Sequence, residues 1–267
     1  MKHELTSSLL LLLAIFTPSA VQAQESLSEW GDELFRDGQT LATAPMHWQQ
    51  AEWENAAGLV VITGTLMATA DHDVSDYHNR HRRSGMNNIM QDVGDALSPV
   101  ALLGYSAVIW GTGQMMPNDT LSRSGFKMGE AVLYATAITG GLKVIAGRAR
   151  PNTGSGAGDF SPWSWQDDHQ SFPSAHAAAA FAAARVISPQ LTPAQRIGAY
   201  GAATLVSYSR IYQGDHWLSD VVFGAGLGYA VGAMLTDKDD ADQKNARSGW
   251  WLMPNASGIS LGWLQTW

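Results

Sequence analysis

Six apolar segments rich in alanine and glycine fill most of the chain between residues 57 and 236: 57–70, 96–116, 131–145, 177–187, 197–207 and 221–236. Few of them alternate apolar and polar residues with the period of two that a strand requires. Small side chains let helix backbones approach closely, so the pattern predicts an all-α fold, a tightly packed helical bundle. A membrane-spanning helix needs about twenty mostly apolar residues. Of the six, only 96–116 reaches that length, and it carries Pro99, Gln114, Ser98, Ser106 and Thr112. The expectation is a water-soluble or surface-associated bundle, with integral membrane association as the alternative.

The flanks have other characters. Lys2, the apolar run 9–16 and Val21-Gln22-Ala23 read as a signal peptide over residues 1–23, which predicts an exported, periplasmic protein. Residues 24–56 form a helical, Trp-bearing segment: 27–35 predicts a short amphipathic helix closed by Asp37-Gly38, and Trp48 and Trp53 follow. Residues 57–236, which hold the six segments, read as one helical domain. The stretch 237–249 is dense in Asp, Lys and Arg and reads as a solvated linker. In 250–267, Ile259, Leu261 and Trp263 alternate after the turn-rich Pro254-Asn255-Ala256-Ser257-Gly258, a candidate β-hairpin packing on the bundle.

Net charge is −8 and only 15% of residues are charged. That excludes a general nucleic-acid binder, which needs a broad basic surface. The chain has no cysteine, which removes thiolate metal sites and thiol nucleophiles and suits an oxidising compartment without disulfides.

Chemistry concentrates between residues 143 and 220. Lys143 and Arg150 are seven apart, two helical turns, so both project from one face. Pro151 should end the helix, leaving the Arg150 guanidinium free to fork onto two oxygens of an anion. Pro173-Ser174-Ala175-His176 precedes an alanine-rich helical run, and backbone N–H groups at a helix N-terminus form an anion site. Ser174 can donate to a bound oxyanion or simply cap the helix. Ser209-Arg210 is followed by His216 and Asp220, four apart. A carboxylate on one imidazole nitrogen would fix the tautomer and leave the other nitrogen for attack, although Asp220 also suits a helix start.

These three segments, in this order and spacing, resemble the type 2 phosphatidic acid phosphatase superfamily, which includes bacterial class A acid phosphatases and vanadium haloperoxidases. The resemblance spans roughly 57–236. It implies the helical bundle of that superfamily and an enzyme, a phosphoric ester hydrolase that needs neither metal nor cofactor. His216 would be the nucleophile, Asp220 its orienting partner and His176 the general acid. Lys143, Arg150 and Arg210 would hold the phosphate with Ser174 and the Ala175 amide. The superfamily's usual glycine in the second motif is Ala175 here. If that position needs a positive φ the site is compromised; if only its N–H is used, alanine serves.

Phe160, Trp163, Trp165 and Phe172, between the first two motifs, would either meet an apolar leaving group or merely anchor a surface loop. Arg80, His81, Arg82 and Arg83 would attract anionic headgroups or form a solvated turn. Asp71-His72-Asp73 is discounted as a metal site, since adjacent helical residues cannot converge on one ion. The expected function is an exported, metal-independent phosphatase acting on a phosphomonoester or diphosphate, a lipid at a membrane surface in the first instance. A soluble broad-specificity acid phosphatase, a vanadate-dependent haloperoxidase and a catalytically silent binding protein are the alternatives.

Overall fold

A computed structural model describes residues 27–116, 118–247, 249–255 and 258–264. The signal-peptide segment 1–23 and residues 256–257 of the hairpin turn lie outside them. The described chain is helical: α1 Leu27–Thr43, α2 Gln50–Thr69, α3 Asp71–His81, α4 Ser84–Ala96, α5 Pro99–Met115, α6 Asp119–Ala146, α7 Ala175–Ile187, α8 Pro193–Gln213 and α9 Leu218–Arg247. The expected hairpin follows as β1 Gly249–Asn255 and β2 Gly258–Leu264, antiparallel, with Gly249 opposite Leu264 and Asn255 opposite Gly258.

Local chemistry sets most boundaries. Segment 96–116 is split: α4 ends at Ala96, and α5 starts at Pro99 with Ser98 accepting from Ala101 N at 3.2 Å. Proline at the first helical position and serine at the cap are a start signal. Asn118 caps α6 at 3.0 Å through Leu121 N, and Gly147 ends it at φ +58°. Thr192 and Gln195 form a capping box on α8, which Gly214 terminates at φ +79°.

Two boundaries differ from expectation. Helix α1 does not close at Asp37-Gly38 but runs to Thr43, because Asp37 is buried against α6 and pairs with Lys127 there. Lys127 Nζ also lies 2.7 Å from Glu33 and 2.9 Å from Glu130, so three carboxylates converge on one ammonium. Trp30 packs against Phe126 beside this network, with ring centroids 4.4 Å apart. At the other end, residues 237–247 continue α9 to Arg247 instead of breaking into a linker. Asp, Lys, Gln and Ala without Gly or Pro impose no break once a helix is under way.

The core is built on α7, whose alanines 177–180 and 182–184 are buried between α6, α8 and α9. A Cβ added at Gly228 of α9 would sit 2.0 Å from the Ala178 carbonyl oxygen, and one at Gly224 would sit 2.4 Å from that of Ser174. The two helices therefore meet backbone to backbone. Among the described residues, one helix segment, Leu218–Asp237, is long and apolar enough to cross a membrane, and 44% of its most apolar stretch is buried in the bundle. Helices α4 and α5 meet that test only as one pair, bent by 44°.

Candidate active site

The three motif segments are drawn together by main-chain bonds of the loop between α6 and α7. Ser171 N donates to Arg148 O at 3.0 Å, Asn152 N to Gly214 O at 3.0 Å and Ser174 N to Asp220 O at 3.0 Å. Each bond joins two different motif segments or their immediate flanks, so the site is assembled by loop backbone over the ends of α6, α7, α8 and α9.

Lys143, on the last turn of α6, donates through Nζ to the carbonyl of Gln170. Burial, reinforced by Arg150, pulls its pKa down to about 8. The helical face expected to carry both Lys143 and Arg150 is not formed: α6 ends at Ala146 with Gly147 left-handed, so Arg150 lies in extended backbone beyond it, its Nη2 on Asp167 Oδ1 at 2.8 Å and its Nε on the Asp167 carbonyl at 2.9 Å. Arg210 pairs with Asp215, and its buried Nε has no hydrogen-bond partner. A Cβ on Gly94 of α4 would lie 2.7 Å from Arg210 Nη1, so the absence of a side chain there gives the guanidinium its room.

Ser174 is fully buried and caps α7 with a long contact of 3.5 Å from Ala177 N. Ala175 opens the helix, and its φ is not positive. The position therefore does not need glycine, and alanine leaves its amide at the helix N-terminus. His176, in the first turn, has no protein hydrogen-bond partner among the described residues. Burial first, then Arg210, His216 and Lys143, lowers its pKa to about 3. Arg210, His216 and Lys143 are thus among its charged or titratable neighbours.

His216 is 4% exposed and precedes the first residue of α9, so it and Asp220 do not stack as residues one helical turn apart. Its Nδ1 lies 2.6 Å from the Ser171 carbonyl oxygen and 3.8 Å from Asp220 Oδ2. A carbonyl can only accept, so Nδ1 carries the proton and Nε2 keeps its lone pair. Burial and Lys143 push the His216 pKa down to about 4, which leaves the ring neutral and nucleophilic near pH 7. Asp220 is occupied elsewhere. Arg148 donates to Oδ1, while Ser171 Oγ at 2.5 Å and Trp217 N at 2.9 Å donate to Oδ2.

Behind Asp220 stands a set of residues that the sequence did not single out for this role. Arg148 is wholly buried and bridges Asp220 to Asp71, whose Oδ2 accepts from Arg148 Nη2 at 2.8 Å. Asp71 also accepts from Ser219 N at 2.8 Å. Arg148 stands two residues before Arg150, and Asp71 opens α3; a polar residue flanking an apolar run was the signal available for each. The discounted Asp71-His72-Asp73 triplet thus serves as a structural carboxylate, while His72 is exposed.

Next to Lys143 and Arg150 opens a cavity of about 600 Å³ lined by Gly140, Gly141, Val144, Ile145, Trp163 and Trp165, with Asp167 and Gln170 at its edge. A Cβ on Gly140 or Gly141 would meet nothing within 4 Å. Trp163 is held at φ +64°, where non-glycine residues are uncommon, and it and Trp165 are 71% and 83% exposed. Of the basic run, Arg82 lies against Gly214, where a Cβ would be 2.8 Å from its Nη2.

The PAP2 superfamily model matches residues 124–241. A lipid A 1-phosphatase of Porphyromonas gingivalis is 32% identical over 120 residues, 42% of this chain and 24% of that protein, so the match spans about a quarter of the relative's length. Two crystal structures share the fold at 21% identity each. The Aquifex aeolicus LpxE structure has a TM-score of 0.51, covering 62% of this chain and 94% of its own. A transmembrane PAP2-type phosphatidylglycerolphosphate phosphatase from Bacillus subtilis has a TM-score of 0.53, covering 70% and 95%. All three motifs lie inside the residues that match the PAP2 superfamily model, a little under half of the chain, and the helical fold around them is the one that the two crystal structures share.

Proposed function

We propose that this protein is an exported phosphatase that hydrolyses a lipid phosphomonoester or diphosphate at a membrane surface through a phosphohistidine on His216. The observation that carries the reading is the tautomer of His216: Nδ1 bound to the Ser171 carbonyl, Nε2 unprotonated, beside Lys143, Arg150 and Arg210. In the first step Nε2 attacks phosphorus, and the P–O bond to the leaving group breaks with its electron pair on oxygen. His176 supplies the proton to that oxygen. In the second, water attacks phosphorus, the P–N bond breaks and His176 takes the proton back.

His176 must be protonated for the first step, whereas burial, reinforced by the cations around it, keeps it neutral in the free protein. A phosphate dianion arriving among Lys143, Arg150 and Arg210 reverses that field and draws a proton onto the ring. The same cations neutralise charge on the transferring group, which is where catalysis of phosphoryl transfer chiefly resides. The lipid reading is supported by the Trp163 and Trp165 cavity beside the cations and by the lipid A 1-phosphatase similarity. The test is a quench of wild-type protein turning over a lipid phosphate with chelator present. It should trap an acid-labile phosphoenzyme that His216→Ala does not form; a phosphoenzyme in the variant would overturn the assignment.

A further inference from the structure

In the free protein, the clamp proposed above for phosphate is already committed. Lys143 is on the Gln170 carbonyl, Arg150 on Asp167 and Arg210 on Asp215. The two carboxylate partners differ. The Asp167 side chain is 86% exposed at the edge of the site, where a pair with Arg150 is screened and weak. Asp215 is 19% exposed and reaches both guanidiniums: Oδ2 pairs with Arg210 Nη2, and Oδ1 lies 3.9 Å from Arg150 Nη1, with Asn152 Nδ2 at 3.5 Å. One oxygen towards each arginine is the bridging arrangement that two oxygens of a phosphate would take.

We propose that Asp215, immediately before His216, is an internal competitor for the phosphate clamp and sets how tightly phosphate is held. Substrate and product gain the two arginines only by displacing this carboxylate or by binding against its charge. Its effect is to weaken ground-state phosphate binding and hasten release of inorganic phosphate. The opposite role is also physically clear: a carboxylate that merely orients Arg210 would strengthen phosphate binding. The two roles predict changes of opposite sign, which makes the residue decidable.

This inference rests on the phosphatase reading, and the experiment separates the two. Inhibition by inorganic phosphate and KM for an aryl phosphate are measured for wild type, Asp215→Asn, Asp215→Ala and Asp167→Asn. Removing the competing charge should lower the phosphate inhibition constant on the order of tenfold in both Asp215 variants, with KM falling alongside. Asp167→Asn should change it less than about twofold, as an exposed pair. An unchanged or raised inhibition constant in a soluble Asp215 variant overturns the competitor role. A wild-type protein that neither hydrolyses the ester nor binds phosphate would instead sink the phosphatase reading itself.

Discussion

Replacing Arg148 with methionine should be the most destabilising single change near the site. Methionine keeps much of the side-chain length and removes the charge. It leaves Asp71 and Asp220, 1% and 0% exposed, facing each other without the cation that now separates them. Breaking a buried ion pair by removing one partner costs about 3–5 kcal/mol. Here one cation serves two carboxylates, so the upper end of that range applies. Loss of the guanidinium's contacts with the Trp217 ring at 5.4 Å and the Phe160 ring at 5.5 Å adds about 0.5–2 kcal/mol. Against a total stability of about 5–15 kcal/mol, a cost near 5 removes a third or more of the fold's margin.

The sign with pH is diagnostic. Stranded carboxylates have folded-state pKa values raised above their unfolded ones, so the folded variant binds more protons and gains stability as pH falls. Urea denaturation followed by tryptophan fluorescence should therefore place Arg148→Met closer to wild type at pH 5 than at pH 8. Adding Asp71→Asn removes one stranded charge and should recover part of the loss. Asp167→Ala, which breaks only an exposed pair, should cost about 0–1 kcal/mol. A cost below about 1 kcal/mol for Arg148→Met, or no recovery in the double variant, would refute the bridging role.

Two further outcomes are open to measurement. Because burial brings the Lys143 pKa down to about 8, its own charge in the clamp is present below that pH and lost above it while Arg150 and Arg210 stay charged; kcat/KM should fall with an alkaline limb near pH 8. Lys143→Arg, less active but permanently charged, should lack that limb, and its persistence would exclude Lys143 as its origin. Replacing Trp163 and Trp165 with alanine should separate substrate classes. Covering roughly 100 Å² of indole at about 25 cal/mol per Å² gives about 2.5 kcal/mol, a loss on the order of fiftyfold in kcat/KM for a long-chain lipid phosphate. A small aryl phosphate should be affected little; equal losses on both would favour a soluble acid phosphatase.

What could be read from the chain follows physical range. Alanine- and glycine-rich runs of helical length announce α5, α6, α7 and α8 because propensity and small-residue packing are local properties. The eight candidate site residues stand out in the sequence because they fall in three short segments that resemble the motifs of one superfamily. Features set by distant partners were not. Asp37-Gly38 reads as a helix stop until Lys127, ninety residues on, is seen to bury that aspartate. Asp71 and Arg148 acquire a role only through Asp220, and Gly94 only through Arg210. The four-residue spacing of His216 and Asp220 suggested a helical pair. The chain instead enters α9 between them, so Asp220 caps Trp217 N and the Ser171 carbonyl takes the imidazole proton.

The contact of Gly224 and Gly228 with the carbonyls of Ser174 and Ala178 has a consequence for how such a site can diversify. The spacing between the α7 end that bears His176 and the α9 start that follows His216 is fixed by main chain against main chain. At Gly224 and Gly228 there is no side chain to be enlarged, trimmed or re-aimed. The ends of the loop from Pro151 to Ser171 bond to the site itself, through Asn152, Gln170 and Ser171, whereas the exposed Trp163 and Trp165 side chains stand outside the seam. On the proposed function, those two indoles could be exchanged to suit another leaving group while the backbone seam and the loop ends stay as they are.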